Sequence, residues 1–113
     1  MDNPIEISVV IVSYNTAHLI GPTIDSVLMQ ENINFELTVI DNNSPDDSQQ
    51  TLTQYKDKVN LVFNKDNIGA GQGVNQGYRM AKGRICYLLN PDAVLQSKTA
   101  LRDLVDYMDA HPE

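Results

Sequence analysis

The stretch Ile7-Ser8-Val9-Val10-Ile11-Val12 is apolar at every position but one, and each apolar residue in it is β-branched. A strand with one face in water alternates apolar and polar residues with period two. This run does not, so both of its faces meet protein. Such strands sit inside parallel sheets that helices cover. Three more short apolar runs follow, at 35–40, 59–63 and 84–89. Helical patterns separate them. Residues 16–30 place Ile20, Ile24, Val27 and Leu28 on one face, with Pro22 inside, so this helix kinks or starts late. Residues 45–56 read as a weaker helix, with Ser44 as N-cap, Pro45 in the first helical position and Asp47 completing a capping box. Residues 70–82 form a glycine-rich helical candidate. Residues 97–110 carry Leu101, Leu104, Val105 and Met108 on one face. Strand and helix alternate four times. That pattern predicts an α/β fold, a Rossmann-like, mostly parallel sheet with helices on both faces.

A chain of 113 residues supports one core and one domain. No internal repeat, low-complexity tract or linker interrupts it. The net charge of −7 leaves no basic stripe to displace counterions from a polynucleotide, so nucleic acid is not an expected partner. A phosphate-bearing small ligand stays compatible with that charge if a divalent cation bridges the two. The single cysteine, Cys86, lies in an apolar run; it excludes a disulfide within the chain and reads as a small buried hydrophobe. With one thiol and no secretory signal at the N-terminus, a cytoplasmic setting is expected. A helical pattern runs almost to residue 113, which suggests a piece of something longer.

In an open parallel sheet, ligands bind beyond the carboxyl ends of the strands, near the point where strand order reverses. The residues after each predicted strand are polar: Ser13-Tyr14-Asn15, then Asp41-Asn42-Asn43-Ser44, then Asn64 to Gly69, then Asn90-Pro91-Asp92. Asp41 and Asp92 bring carboxylates directly off a strand. Each has an ordinary alternative. Asn90-Pro91-Asp92 also reads as a plain turn. Asp46 and Asp47 read as helix N-terminal residues. Tyr14 also reads as a core ring with its hydroxyl at the rim, and Asn67 and Asn75 as turn or capping amides. Gly69-Ala70-Gly71-Gln72-Gly73 follows the third strand, and it matches neither the dinucleotide fingerprint nor a P-loop. Gly73 and Gly77 share a helix face and permit close approach of a ligand or another backbone.

Four segments together resemble a known family: VVIVSYN (9–15), VIDNNSPDDS (39–48), NIGAGQGVNQGYRMAKG (67–83) and LLNPDA (88–93). In that order and spacing they resemble the nucleotide-sugar-binding half of family 2 glycosyltransferases, which have the GT-A fold. The resemblance implies strand order 3-2-1-4. It implies a nucleotide-sugar pocket formed around Val12, Ser13, Tyr14 and Asn15. Asp41 would meet the nucleobase at a pyrimidine N–H, with Asn43 beside it, and Asn67, Gly69 and Asn75 would shape the wall near the donor. Asn90-Pro91-Asp92 would stand where the family has D-x-D. Asp92, helped by Asn90, would then hold Mg2+ or Mn2+ against the donor diphosphate, and Asn90 would also meet the donor. The N-P-D variant is similar to rhamnosyltransferase-like members that build cell-surface polysaccharides. An amide in the first position carries no charge, so metal affinity would lean on the donor's phosphates.

The implied reaction is inverting transfer of a sugar from a UDP- or dTDP-linked donor to a glycan or lipid-linked acceptor. The carboxylate base for that step is expected beyond residue 113, so the chain itself would bind donor only. The implied partners are the donor, the acceptor, a membrane surface for a longer protein, and a second copy through an uncovered face. A non-catalytic donor-binding module is the alternative. A sugar nucleotidyltransferase would need a glycine-rich, arginine-bearing loop after the first strand. A phospho-receiver would need an acidic pair there. Ser13-Tyr14-Asn15 supplies neither.

Overall fold

The computed structural model describes residues 4–112. The elements follow in strict alternation: β1 (Ile7–Ser13), α1 (Ile20–Leu28), β2 (Phe35–Asp41), α2 (Ser48–Thr53), β3 (Asn60–Phe63), α3 (Gly69–Met80), β4 (Ile85–Leu88) and α4 (Ala100–Ala110). The strands form one sheet in the order β3-β2-β1-β4, and every pairing is parallel. β1 is central, registered from Ile7↔Phe35 to Ser13↔Asp41 on one side and from Ile7↔Ile85 to Val10↔Leu88 on the other. This is the expected α/β sheet and strand order, and it explains the unbroken β-branched run in β1.

The two faces are built differently. Ile7, Val9 and Ile11 point into a core with Ile20, Ile24 and Val27 of α1, Leu52 of α2, and Leu101 and Val105 of α4. On the opposite face α3 lies alone. There Gly73 and Gly77 bring the helix so close to β1 that an added Cβ would meet Val12 and Val10. The close approach is therefore made to the sheet. α1 starts late, as Pro22 in its first turn allows, because N–H groups there have no intrahelical acceptor. The buried Gln30 side chain closes the far end of the core: its Nε2 donates to the Ser97 carbonyl (2.7 Å) and its Oε1 accepts from Leu101 N–H (2.9 Å).

Two sequence expectations need correction. The second helix starts at Ser48, not at Pro45, and Ser44 does not cap it. Its hydroxyl is engaged elsewhere, with Asp41 and Asn15. Cys86 is exposed rather than buried. β4 is an edge strand, and α3 covers β1 and β2 rather than β4. By the period-two alternation, Ile85 and Tyr87 face the core side while Cys86 and Leu88 fall on the uncovered side. Desolvation, and then the Glu36 carboxylate, push the Cys86 thiol above its ordinary value. The native chain should accordingly take up one equivalent of a thiol reagent without denaturant, slowly at neutral pH and faster as pH rises. Labelling seen only after denaturation would contradict this placement.

Candidate functional site

The order β3-β2-β1-β4 means that the chain steps outward from β1 through β2 to β3, then returns to the other side of β1 for β4. Strand order therefore reverses at β1, and the crevice for a ligand opens between the loops after β1 and β4. Those loops are Ser13-Tyr14-Asn15 and Asn90-Pro91-Asp92. The last registered pair is Val10↔Leu88, so Asn90 stands level with Val12.

The Asn90-Pro91-Asp92 loop is a turn, closed by Ala93 N–H donating to the Asn90 carbonyl at 3.1 Å. It is also tied to α1, where the Thr23 hydroxyl donates to the Pro91 carbonyl at 2.8 Å. The turn and ligand readings thus coexist: the turn is what points Asp92 outward. Asp92 is exposed, and no hydrogen bond or ion pair among the described residues engages its carboxylate. No group of three His, Cys, Asp or Glu residues able to hold a metal exists among the described residues. A lone free carboxylate beside the Asn90 amide fits the mode in which Mg2+ or Mn2+ is held by few protein ligands and completed by substrate phosphates. It does not fit a site built wholly from protein.

Across the crevice, Tyr14 is 47% exposed at the tip of its loop. Asn15 and Asn43 are exposed and both have φ of 62°, the left-handed region that asparagine tolerates better than most residues. Ser13 is buried, its hydroxyl paired with that of Thr16. Val12 is half-buried against the position of Gly73. Asn67 is exposed and its Oδ1 accepts from Gly69 N–H at 2.9 Å, a tight turn that leads into α3, with Gly69 at φ 85°.

Two expected site residues are placed differently. Asp41 is fully buried. Its Oδ1 accepts from the Ser44 hydroxyl (2.6 Å), and its Oδ2 accepts from Ser44 N–H (2.9 Å) and from Gln49 Nε2 (3.1 Å). A carboxylate with no exposed surface and three hydrogen bonds to its own loop and helix is turned away from the crevice. Asn75 lies on the outer face of α3, since Gly73 and Gly77 face the sheet; it is exposed and about 9 Å along the axis from the helix start. It faces away from the sheet, unlike its neighbour Gln76, whose side chain reaches Asn64 at the end of β3.

Residues that pattern reading passed over hold the edge together. Asn64 Nδ2 donates to Asn42 Oδ1 and to Gln76 Oε1, both at 2.9 Å, and Gln76 Nε2 returns a bond to Asn64 Oδ1 at 3.0 Å. Asn42 Nδ2 donates to the Gly69 carbonyl at 3.2 Å. This chain of amides locks the ends of β2 and β3 to α3, at Gly69 and again at Gln76. The β1–α1 loop is held from the other side: Asn15 N–H donates to Ser44 Oγ (2.8 Å), Thr16 N–H to Ser48 Oγ (2.9 Å) and Ala17 N–H to Asp46 Oδ2 (3.2 Å). Bonds to Asp46 from Ser48 and from Ala17 N–H hold its carboxyl below the ordinary 3.8. A depressed folded-state value makes its stabilisation complete above the unfolded value and lost as pH falls through the folded one. Asp46→Asn should therefore flatten the fall of stability below about pH 4, as read from urea midpoints at a series of pH values. An unchanged acid limb would contradict this.

The glycosyl transferase family 2 model matches residues 8–113. A beta-1,3-glucosyltransferase of Escherichia coli, named for UDP-Glc and an alpha-D-GlcNAc-diphosphoundecaprenol acceptor, is 33% identical over 89 residues, covering 78% of this chain and 35% of that protein. An uncharacterized glycosyltransferase of Nostoc is 34% identical over 93 residues, covering 79% of this chain and 29% of that protein. The chain thus spans about a third of the length of the curated relatives it matches. Among solved structures, residues 1–349 of TarS from S. aureus, in complex with UDP-GlcNAc, superpose with a TM-score of 0.83 at 26% identity, over 96% of this chain and 32% of that one. A mannosyltransferase from Pyrobaculum calidifontis, in complex with GDP-Man and Mn2+, shares the fold with a TM-score of 0.85 at 22% identity, over 94% of this chain and 34% of that one. With the family model matching nearly the whole of this chain, on a sheet of the GT-A type, the chain belongs to glycosyl transferase family 2.

Proposed function

We propose that this chain is the donor-binding part of a metal-assisted, inverting glycosyltransferase that uses a UDP-linked sugar. The observation that carries the reading is Asp92, a carboxylate with no partner among the described residues, held outward by a turn at the crevice where strand order reverses. The names of two relatives favour UDP over dTDP: one uses UDP-Glc and another was solved with UDP-GlcNAc. On this reading Tyr14, Asn15 and Asn43 border the nucleoside, and Asn90 and Asp92 border the diphosphate. Asp92 would hold Mg2+ or Mn2+, as a mannosyltransferase of this fold is bound with Mn2+. When bound, the cation supplies Lewis-acid stabilisation of the departing diphosphate.

The chemistry is in-line displacement. An acceptor hydroxyl attacks the anomeric carbon, the bond from that carbon to the diphosphate oxygen breaks, and the hydroxyl proton passes to a carboxylate base. On this reading the base belongs to sequence beyond residue 113. What the present residues do is bind and orient: Thr23 fixes the Asn90-Pro91-Asp92 turn, and the loop after β1 fixes the nucleoside end. A lipid-linked glycan acceptor, as in the E. coli relative, would place the full protein at the cytoplasmic face of a membrane and within polysaccharide synthesis.

Amide chemical-shift mapping with UDP and Mg2+ tests the placement. Shifts should cluster at residues 12–15, 43, 67–69 and 90–92. Shifts confined to the groove between α1 and residues 94–98, a cavity of about 400 Å³ lined by Pro22, Met29 and Val94, would overturn it.

A further inference from the structure

We propose that Asp41 is a positioning residue, which sets the nucleoside-binding loop through Ser44 and does not touch the donor. The inference rests on the donor-site reading above and deepens it. The Ser44 hydroxyl has one proton to give and lone pairs to accept with. Its proton goes to Asp41 Oδ1 at 2.6 Å, and Asp41 Oδ2 holds Ser44 N–H at 2.9 Å. With the proton committed there, a lone pair is left for Asn15 N–H, which donates to Ser44 Oγ at 2.8 Å. Asp41 Oδ1 thus fixes the direction of the Ser44 hydroxyl and, through it, the position of the Asn15 backbone.

The relay belongs to a larger clamp. Three successive N–H groups of the β1–α1 loop, from Asn15, Thr16 and Ala17, end on three side chains of the β2–α2 loop and the first residue of α2: Ser44, Ser48 and Asp46 respectively. The clamped backbone turns sharply, with Asn15 and Asn43 both at φ 62°, the left-handed region that asparagine accepts. The clamp carries Tyr14 at its tip, 47% exposed, at the edge where strand order reverses. The clamp therefore pre-forms the nucleoside end of the site, while the diphosphate end, on the far side of the crevice, is held separately by the Thr23 bond to Pro91.

The test separates the two ends. UDP and inorganic pyrophosphate are each titrated with Mn2+ into the 113-residue chain and into its Ser44→Ala and Ser44→Thr variants, and exchange of the Asn15 amide is followed. Ser44→Ala should speed Asn15 exchange and weaken UDP by about 10-fold, the scale of one lost hydrogen bond, with pyrophosphate affinity unchanged. Ser44→Thr, which keeps the hydroxyl, should restore both. Asp41→Asn should behave as Ser44→Ala does. Unchanged UDP affinity in a folded Ser44→Ala, or equal loss of UDP and pyrophosphate, would overturn the positioning role. Absence of UDP binding by the unaltered chain would instead overturn the donor reading, and the positioning role with it.

Discussion

Gly77→Ala is expected to destabilise the chain by about 1–2 kcal/mol, although alanine is the better helix former by about 1 kcal/mol. A Cβ at this position would lie 3.2 Å from Ile40 Cδ1 and would overlap Val10 Cγ1. Val10 cannot yield easily. It is β-branched, it is 2% exposed, and it stands on the central strand with partners on both sides. α3 would have to lift off the sheet, which would strain the amide chain joining Gln76, Asn64 and Asn42. Gly71 in the same helix is the matched control. Nothing lies within 4 Å of a Cβ there, so Gly71→Ala should stabilise by up to about 1 kcal/mol. Urea midpoints of the two variants should move in opposite directions with unchanged slopes. Movement in the same direction would mean that α3 does not pack on β1 as described.

Asp92→Ala is expected to remove the metal-dependent part of nucleotide affinity while leaving the fold intact. Asp92 is exposed and makes no bond among the described residues, so its loss leaves no buried group without a partner. Stability should stay within about 0.5 kcal/mol of the parent, the usual range for such surface changes. The effect on binding should be at least the 10–100-fold typical of losing even an outer-shell partner of a metal, since no second carboxylate among the described residues completes a cluster that could take over. Titration of UDP with Mn2+ reads it directly. Asp47→Ala, an exposed carboxylate in the β2–α2 loop, should leave affinity unchanged. Equal losses in both variants would point to general surface charge in place of a site at Asp92.

The strands and helices were legible because burial on both faces leaves an unbroken apolar run, and that run has few interpretations. The polar edge was legible for the same reason: wherever such a run stops, its polar neighbours fall at one end of the sheet. What sequence reading missed depended on how loops fold back and on contacts far along the chain. Ser44 has the spacing of a helix cap, but its hydroxyl is claimed by Asn15, 29 positions away. Nothing local reveals that, so the pattern places the start of α2 three residues early. Cys86 looks buried within its run; its exposure follows from β4 being an edge strand that α3 does not cover. Asp41 shows the limit most clearly. Its place at the end of β2 was plain, but the direction of its carboxylate was not, because Ser44 and Gln49 take it up only once the β2–α2 loop has folded back. Ser44, Asp46 and Ser48 are three short hydrogen-bonding side chains at alternate positions, and that density of acceptors just after β2 was the available signal for the clamp.

The central claim is that the edge between β1 and β4 is a donor site completed by a metal. Calorimetric titration of the 113-residue chain with UDP, in Mn2+ and again in EDTA, tests it most directly. The account predicts saturable binding with Mn2+ that weakens by about 10-fold or more in EDTA, because the diphosphate's charge then faces Asp92 with no cation between them. Binding of equal strength in EDTA, or no binding by a folded sample, would contradict it.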